Sequence, residues 1–596
     1  MSGAGELLWG GGAPLAQGER GSMASLDSIQ KRGPGPDGWR QPELSEVIAM
    51  LNYTLDSVKV NAAAYLQHLT YKNEKVKSEL RRLKGIPAIV TLMNHSSEEV
   101  RFAVCGALRN ISFGNNFEIK STIVNCGGVA CIVNLLRRTT DRRLIEILTG
   151  TLWNLSSNED FIKDLVDKPL SAVVDEVLVL HSGVEQKSNG AEGGKGDSKS
   201  PYQEWEKAFI NSTGFLRNVS AANEEHRKHI REYKGLVDSV VYLLKSQTKP
   251  STGALTENCV CVLRNLSYHL HCEIPNPERY KEMPATPQRF ANNTHSKVLS
   301  TKCFLYTPLF KNPILLFPLT CHAGSELLFQ KDVIEAYGHL LNSSKNPLVL
   351  EAAAGAIQNL CAGNWTVSGA VFVPKADKIV EYLDHENEPV VRAMSGALCN
   401  LALNPEYATE LGTTALPKLL SKLPDDGGHS SFSSQTRMSV ISALCMILSQ
   451  SPEATKTLLV PNDKKQFPGM NKLVQLKNAS DRHSEREIWT VSMMLQKVWD
   501  HKDVRRILTK YKYKKTDFVM KKNPPSKKKT KESSEGKPNE ETNSKETDHL
   551  LQGKDEIRSL FRYFCFFIGT TRHACARLRM QPLLSTDLHR PRQTKN

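Results

Sequence analysis

The side chains best suited to chemistry in this chain are pairs in which an asparagine follows an arginine or a tryptophan. An asparagine amide both donates and accepts hydrogen bonds, which suits it to the main chain of an extended peptide. Arginine adds positive charge, and tryptophan adds an aromatic surface. The pairs therefore predict a peptide-binding site. They are Arg109-Asn110, Trp153-Asn154, Arg217-Asn218 and Arg264-Asn265.

Motifs for catalysis and for metal binding are missing from the sequence. There is no P-loop, no Gly-x-Gly-x-x-Gly after a strand, no His-Glu-x-x-His and no Gly-x-Ser-x-Gly. His226 and His229 have helical spacing, but no third ligand accompanies them. We therefore expect no enzymatic activity, no cofactor and no metal site.

The asparagine pairs belong to a phrase that repeats along the chain, as in Gly106–Ser112, Gly150–Ser156 and Gly214–Ser220. Weaker copies put His68, Met446 or Lys497 in the asparagine place. The steps between the nine copies are 42, 44, 64, 47, 94, 41, 46 and 51 residues. A period of about 40–47 residues is typical of armadillo or HEAT repeats. The spacing predicts an all-α, right-handed superhelical solenoid of about nine armadillo repeats, in which the 94-residue step is one repeat plus an insertion.

Composition divides the chain into five segments. We expect a disordered N-terminal segment at 1–38, armadillo repeats 1–5 at 39–274 and repeats 6–9 at 325–518. The irregular text at 275–324 predicts an insertion, and the Lys/Ser/Glu/Asn-rich text at 519–596 predicts a disordered basic tail. A second inserted loop is expected at Gly183–Ser200, which is rich in glycine, serine and lysine.

Bulk composition limits the partners and the compartment. A net charge of +15 predicts an acidic partner. The 13 cysteines include no Cys-x-x-Cys pair, so we expect buried free thiols in a reducing compartment. No secretory signal is visible, and no apolar run approaches the roughly 20 residues that span a bilayer.

Helical angles predict which face of the repeated phrase is open. At about 100° per residue, the two leucine positions of the phrase mark a buried face, and its glycine, arginine and asparagine share the opposite one. The glycine would let a ligand backbone approach closely. Stacked repeats would then form a basic groove for an acidic, extended segment, with an apolar anchor at Trp153. In the alternative interpretation, the arginines only solvate a helix face and Trp153 belongs to the core.

Several phrases resemble the delta-catenin subfamily of armadillo proteins. The likeness covers about residues 13–285 and 325–518. The phrases that carry it are Ala13–Asp27, Trp39–Leu44, Asn61–Leu69, Gly150–Ser157, Glu257–Tyr268 and Gly355–Gly363.

The resemblance implies an adaptor that binds the acidic juxtamembrane segment of classical cadherins and holds cadherin at cell–cell junctions. It also implies partners among Rho-family GTPases and transcriptional repressors, and a location in the cytoplasm, at adherens junctions and in the nucleus. The cadherin contacts of the family match Trp39, Lys77, Lys120, Trp153 and Asn154. Substitution of Lys77 by Glu or of Trp153 by Ala is expected to weaken binding with little change in thermal stability.

Two other functions are weighed against the cadherin adaptor. Armadillo adaptors for nuclear import also carry rows of tryptophan and asparagine, but they bind basic cargo, and the recurring arginines argue against that. For the lysines of Lys510–Lys531, a solvated tail is the favoured interpretation, ahead of a nuclear-localisation or anionic-lipid patch and of nucleic-acid binding. Few aromatic residues lie between those lysines, which makes nucleic acid the weaker interpretation.

Overall fold

Amphipathic helices joined by short turns make up the described part of the chain. The structure is a computed structural model, and it describes residues 41–183, 201–246, 253–274, 324–363, 376–425, 431–462, 466–479 and 483–519. No strand occurs among these residues. The predicted all-α armadillo solenoid is confirmed. The helices form two compact units, which divide between Val219 and Ser220.

The first unit begins with a helix pair and continues as triplets of helices. Its helices are α1 Leu44–Met50, α2 Asp56–Leu69, α3 Glu74–Arg82, α4 Gly85–Leu92, α5 Glu98–Ser112, α6 Phe117–Asn125, α7 Gly128–Leu136, α8 Arg142–Ser156, α9 Ile162–Leu165, α10 Lys168–Val173, α11 Leu180–Ser182 and α12 Pro201–Ser220, the last residue of which starts the second unit. A 3-10 turn at Glu159–Phe161 precedes α9, and a π-helical stretch at Val174–Val179 joins α10 to α11.

The second unit repeats the same triplet pattern. Its helices are α13 Glu224–Glu232, α14 Leu236–Lys245, α15 Ala254–Ser267, α16 Leu270–Glu273, α17 Lys331–Ser343, α18 Pro347–Leu360, α19 Ala376–Glu381, α20 Glu388–Leu401, α21 Pro405–Thr414, α22 Leu416–Ser421, α23 Ser434–Gln450, α24 Pro452–Thr457, α25 Pro468–Asn478, α26 Glu485–Asp500, α27 Lys502–Lys510 and α28 Lys515–Phe518. Three of the predicted segments, the disordered N-terminal segment, the insertion and the basic tail, lie outside the described residues, at 1–38, 275–323 and 520–596. The predicted segment boundaries stay predictions.

Local sequence signals set the helix ends. The side chains of Asn73, Asn116 and Asn223 accept hydrogen bonds from backbone N–H groups in the first turn of α3, α6 and α13. The turn into the next helix uses a left-handed residue, with φ of 83° at Gly127 and 77° at Gly235. Asparagine caps and glycine turns thus start the helices at corresponding places in these triplets.

The longest helix of each triplet carries the repeated phrase and stacks on its counterpart in the next repeat. Asparagine amides join these helices: Asn110 Nδ2 donates to the carbonyl of Gln67 at 2.8 Å, and Asn359 Nδ2 donates to that of Arg264 at 3.1 Å. Asn359 therefore contacts the helix of the preceding phrase directly. The 94-residue step therefore contains one repeat, in agreement with that part of the prediction, and most of the predicted insertion lies outside the described residues.

The glycine of each phrase accommodates a side chain from the preceding repeat. A Cβ atom built at Gly150, Gly214 or Gly355 would lie less than 3.0 Å from Arg109, Trp153 or Arg264, respectively. Each of these large side chains comes directly before the asparagine of its own phrase. The expectation that the glycine leaves room for a ligand backbone is wrong at these positions, because the neighbouring helix already fills the space.

Cysteines and apolar helices follow the predictions from composition. Cys105, Cys259, Cys361, Cys399 and Cys445 are free and buried. Burial raises the pKa of Cys105 to about 12 and that of Cys445 to about 11, which makes both thiols poor nucleophiles. In the described ranges no single helix is long and apolar enough to cross a membrane, although α6 and α7, bent by 65°, meet that criterion as a pair.

We predict that Gly214→Ala destabilises the protein, because the new methyl group overlaps the indole of Trp153. Overpacking of this kind costs about 1–3 kcal/mol. Gly338→Ala in α17 is the matched control, since its Cβ would meet only the Tyr382 hydroxyl at 3.8 Å. Alanine is the better helix former, so the control should be neutral or stabilising by up to about 1 kcal/mol. Urea unfolding of both variants measures the difference, and equal stabilities would contradict the packing role of Gly214.

Candidate functional site

The first unit contains most of the residues predicted to contact a ligand. Lys77 lies on α3 and Lys120 on α6, which are the first helices of two successive triplets. Trp153 and Asn154 lie near the end of α8. Trp39 falls outside the described residues. Four of the five predicted cadherin contacts therefore have a defined place, and their role in ligand contact stays a prediction.

Lys77 and Lys120 are buried and bind to the carboxyl ends of long helices. Lys77 Nζ donates to the Phe113 carbonyl just past α5 and to Glu74 Oε1 at 2.8 Å. Lys120 Nζ donates to the Asn154 carbonyl at 2.8 Å and to the hydroxyl of Ser157. A cation at this end of a helix satisfies carbonyls that lack an intrahelical partner and interacts favourably with the helix dipole. Both lysines thus have a structural role within their own repeat.

A third cation of this type was missed from the sequence. Arg231 on α13 donates to the carbonyls of Leu266 and Tyr268, both at 2.7 Å. Lys77, Lys120 and Arg231 precede the asparagine of their own repeat by 33, 34 and 34 residues. That constant spacing is the signal that could have found Arg231.

The asparagines of the phrase hold successive helices together. Asn154 Nδ2 donates to the Arg109 carbonyl at 3.0 Å and to Ser112 Oγ at 3.1 Å. Asn218 Nδ2 donates to Ser156 Oγ at 3.0 Å. In the second unit, Asn265 Nδ2 donates to Ser220 Oγ at 3.1 Å. The amide N–H groups are therefore used within the fold, not held free for a peptide.

The predicted open face is wrong for several residues. Trp153, Arg217 and Arg264 are 4%, 3% and 6% exposed, and Asn154 and Asn218 are also buried. Helical angles show which side chains share a face of one helix. They do not show whether the next repeat packs against that face. In unit 2, for example, Arg264 is covered by the helix that carries Gly355. The interpretation that Trp153 belongs to the core is favoured by this burial.

Part of the predicted groove does remain accessible. Arg109, Asn110 and Asn265 are half-buried. Burial lowers the pKa of the Arg109 guanidinium, and the charge of Glu146 opposes that shift. The side chains of Lys72 and Lys75, at the start of the second repeat, are exposed. These residues give the first unit a set of cations that a ligand can reach.

Two polar atoms at the centre of this region have no hydrogen-bond partner. They are the indole N–H of Trp153, a donor, and Oδ1 of Asn154, an acceptor. An unpaired buried polar group costs about 1–3 kcal/mol. The two atoms belong to consecutive residues and are complementary in kind. A peptide main chain carries both of the groups that would satisfy them.

The described residues contain no cluster of three or more His, Cys, Asp or Glu side chains that could hold a metal ion. Three buried charged side chains form an ion-pair network in the second unit. Arg227 and Arg231 each bind one oxygen of Glu273 at 2.7 Å, and all three side chains are nearly fully buried. This network joins α13 to α16 and serves packing.

The armadillo/beta-catenin-like repeat family matches at residues 73–113, 116–157 and 322–362. Catenin delta-1 of Xenopus laevis is 40% identical over 84% of this chain and 60% of its own length. Splicing regulator ARVCF of Homo sapiens is 39% identical over 85% of this chain and 55% of its own length. Catenin delta-2 of Homo sapiens is 35% identical over 83% of this chain and 41% of its own length. The chain thus spans 60% or less of these relatives.

Solved structures agree on the fold. An engineered protein is 18% identical with a TM-score of 0.50, and covers 79% of this chain and 100% of its own. A structure from work on a phosphorylation switch in the interaction between cadherin and beta-catenin is 16% identical with a TM-score of 0.53, and covers 79% and 80%. At these identities they show the fold alone.

The relatives are named as catenins and a splicing regulator, which agrees with the prediction that this chain is not an enzyme. The repeat matches and the repeated helix triplets agree with each other across both units. The predicted resemblance to the delta-catenin subfamily of armadillo-repeat proteins is therefore confirmed.

Proposed function

We propose that this protein is a non-enzymatic adaptor whose first unit binds an acidic, extended peptide, the juxtamembrane segment of a classical cadherin. The observation that carries the proposal is the unpaired donor of Trp153 beside the unpaired acceptor of Asn154. A peptide main chain offers a carbonyl to the indole N–H and an N–H to the amide oxygen. Because both side chains are nearly covered, binding requires a rotation of the indole toward the surface.

Charge supports an acidic ligand. Lys72, Lys75 and Arg109 are among the accessible cations of the region. Lys77 and Lys120 lie beneath the surface, close to the ends of α5 and α8. Opposite charge mainly raises the association rate and selects the partner. The catenin relatives support the choice of a cadherin segment.

Affinity sets a minimum length for the ligand. One exposed ion pair contributes roughly 0.2–1 kcal/mol, whereas micromolar binding needs about 8 kcal/mol. The peptide must therefore contact several repeats and bury an apolar group. We assign the half-buried Asn110 and Arg109 to the ligand surface of the first unit and the half-buried Asn265 to that of the second. Arg217, Asn218 and Arg264 support the packing beneath these surfaces.

Roles with Rho-family GTPases and transcriptional repressors, and locations at adherens junctions and in the nucleus, are further proposals that rest on the family resemblance. The named relatives include catenins and a splicing regulator, which supports both a junctional and a nuclear setting. An import-type adaptor is the alternative function, and it requires basic cargo.

The test has to respect the burial of the site. Lys77 is fully buried and Trp153 is 4% exposed, so Lys77→Glu and Trp153→Ala should both unfold or strongly destabilise the first unit. Replacing a buried tryptophan by alanine typically costs about 3–5 kcal/mol. We therefore expect both changes to lower thermal stability, in contrast to the prediction from the sequence. A milder substitution is needed to test binding.

We predict that Trp153→Phe weakens binding of an acidic cadherin juxtamembrane peptide about threefold to tenfold, since it removes the N–H donor and keeps an aromatic ring. Trp499→Phe is the matched control, because Trp499 is also buried but lies in the second unit. Calorimetric titration measures both affinities, with unfolding curves to show that each variant is folded. Equal affinities, or tighter binding of a basic import peptide than of the acidic one, would contradict the proposal.

We also predict that affinity for the acidic peptide falls about tenfold or more between 0.05 and 0.5 M NaCl, because exposed charges are screened within a shorter distance as salt rises. The same titration in a salt series measures it. A neutral peptide of equal length is the control. An affinity that does not change with salt would exclude the proposed charge complementarity.

A further inference from the structure

Helix α27, near the carboxyl end of the second unit, presents one strongly basic face. Lys502, Arg505, Arg506 and Lys510 lie at helical spacing along this face together with Thr509. With a rise of 1.5 Å per residue, the four cations cover about 12 Å. The opposite side of the helix is apolar, and Val504 and Leu508 on that side are completely buried. The basic face is therefore fixed in place by the packing of the core.

Little within the protein compensates this charge. From Lys502 to Val519 the sequence has seven Lys or Arg and two Asp, a net charge of +5. Arg506 is paired with Asp503 at 3.6 Å, and both side chains are highly exposed. Asp517 accepts a hydrogen bond from the backbone N–H of Lys514. Among the described residues, no ion pair involves Lys502 or Lys510.

We propose that this basic face binds the surface of a bilayer that contains anionic lipid. Each lysine or arginine close to such a surface contributes about 1 kcal/mol. The four cations lie along one side of a short helix, which suits a broad charged surface. The sequence continues beyond Val519 with six more lysines before residue 532, so the positive charge extends along the chain.

The contacts around the face argue against single-stranded nucleic acid. Binding of single strands relies on aromatic rings that stack on bases. The nearest rings, Tyr511 and Tyr513, pack on Phe467 with centroids 4.6 and 5.9 Å apart. The hydroxyl of Tyr513 also donates to Asn471. Both rings are half-buried and already stack within the protein. They leave a face that offers charge alone, which matches a membrane of phosphate headgroups.

The mode of attachment follows from the buried apolar side. An amphipathic helix that lies in a membrane inserts its apolar face into the lipid. In α27 that face already packs within the protein, so attachment is electrostatic and peripheral. The proposal uses none of the residues assigned to the cadherin site, whose central pair Trp153 and Asn154 lies in the first unit.

Vesicle sedimentation with the full chain tests the proposal. Vesicles of phosphatidylcholine with 30 mol% phosphatidylserine are compared with phosphatidylcholine alone at 0.1 M NaCl. We expect binding to the anionic vesicles only. The triple variant Lys502→Glu/Arg506→Glu/Lys510→Glu should lower the vesicle affinity at least tenfold. Its affinity for the acidic peptide should stay unchanged, which separates the two proposals.

The matched control reverses the same number of charges elsewhere in the second unit. Lys331→Glu/Lys378→Glu/Lys456→Glu replaces exposed lysines and changes the net charge by the same amount. This variant should lose less than threefold in vesicle affinity. Equal losses in both variants, no loss in the α27 variant, or tighter binding of a 20-nucleotide single-stranded DNA than of the anionic vesicles would each overturn the proposal.

Discussion

The stacking of one long helix on the next is the interaction on which the rest of this structure depends. In the complete phrases, the contact combines an asparagine amide that donates to the preceding helix with a glycine that receives a large side chain from it, as with Asn154 and Gly150. The amide removes the cost of an unpaired carbonyl at a helix end, and the glycine brings the two backbones close together. Residues of these helices that the contact does not cover, such as Arg109 and Asn110, are the ones a ligand can reach.

The architecture could be predicted because the residues that recur in each repeat are the ones that pack its helices together. The spacing of the phrase specified the helix triplets, and the 94-residue step was correctly assigned to one repeat, since Asn359 reaches Arg264. Asparagine caps and glycine turns lie at regular places for local physical reasons, so they can be recognised without a structure. Free buried cysteines such as Cys259 and Cys361 followed from their apolar surroundings in the same way.

The site could be predicted only in part, because its residues are shared between neighbouring repeats. Helical angles put Trp153 and Arg264 on the side away from the leucines, which is correct for one helix, but the adjacent helix covers that side. Lys77 and Lys120 were recognised as basic, yet nothing local in their sequence showed that they bind carbonyls at the end of another helix. Contacts between segments 30–40 residues apart become visible only when the spacing is compared across repeats.

The exchange of side chains at the glycines has a consequence for how such a protein can change. Gly214 and Trp153 sit in different repeats, yet neither can be altered in size without the other. A single repeat is therefore not a self-contained module, and duplicating or transplanting one would separate each bulky residue from the gap that admits it. Viable recombination points should fall within a repeat, so that every exchanged piece keeps both halves of the contact. A change of ligand preference at these positions would then require paired substitutions, one at the bulky residue and one at the glycine of the next repeat.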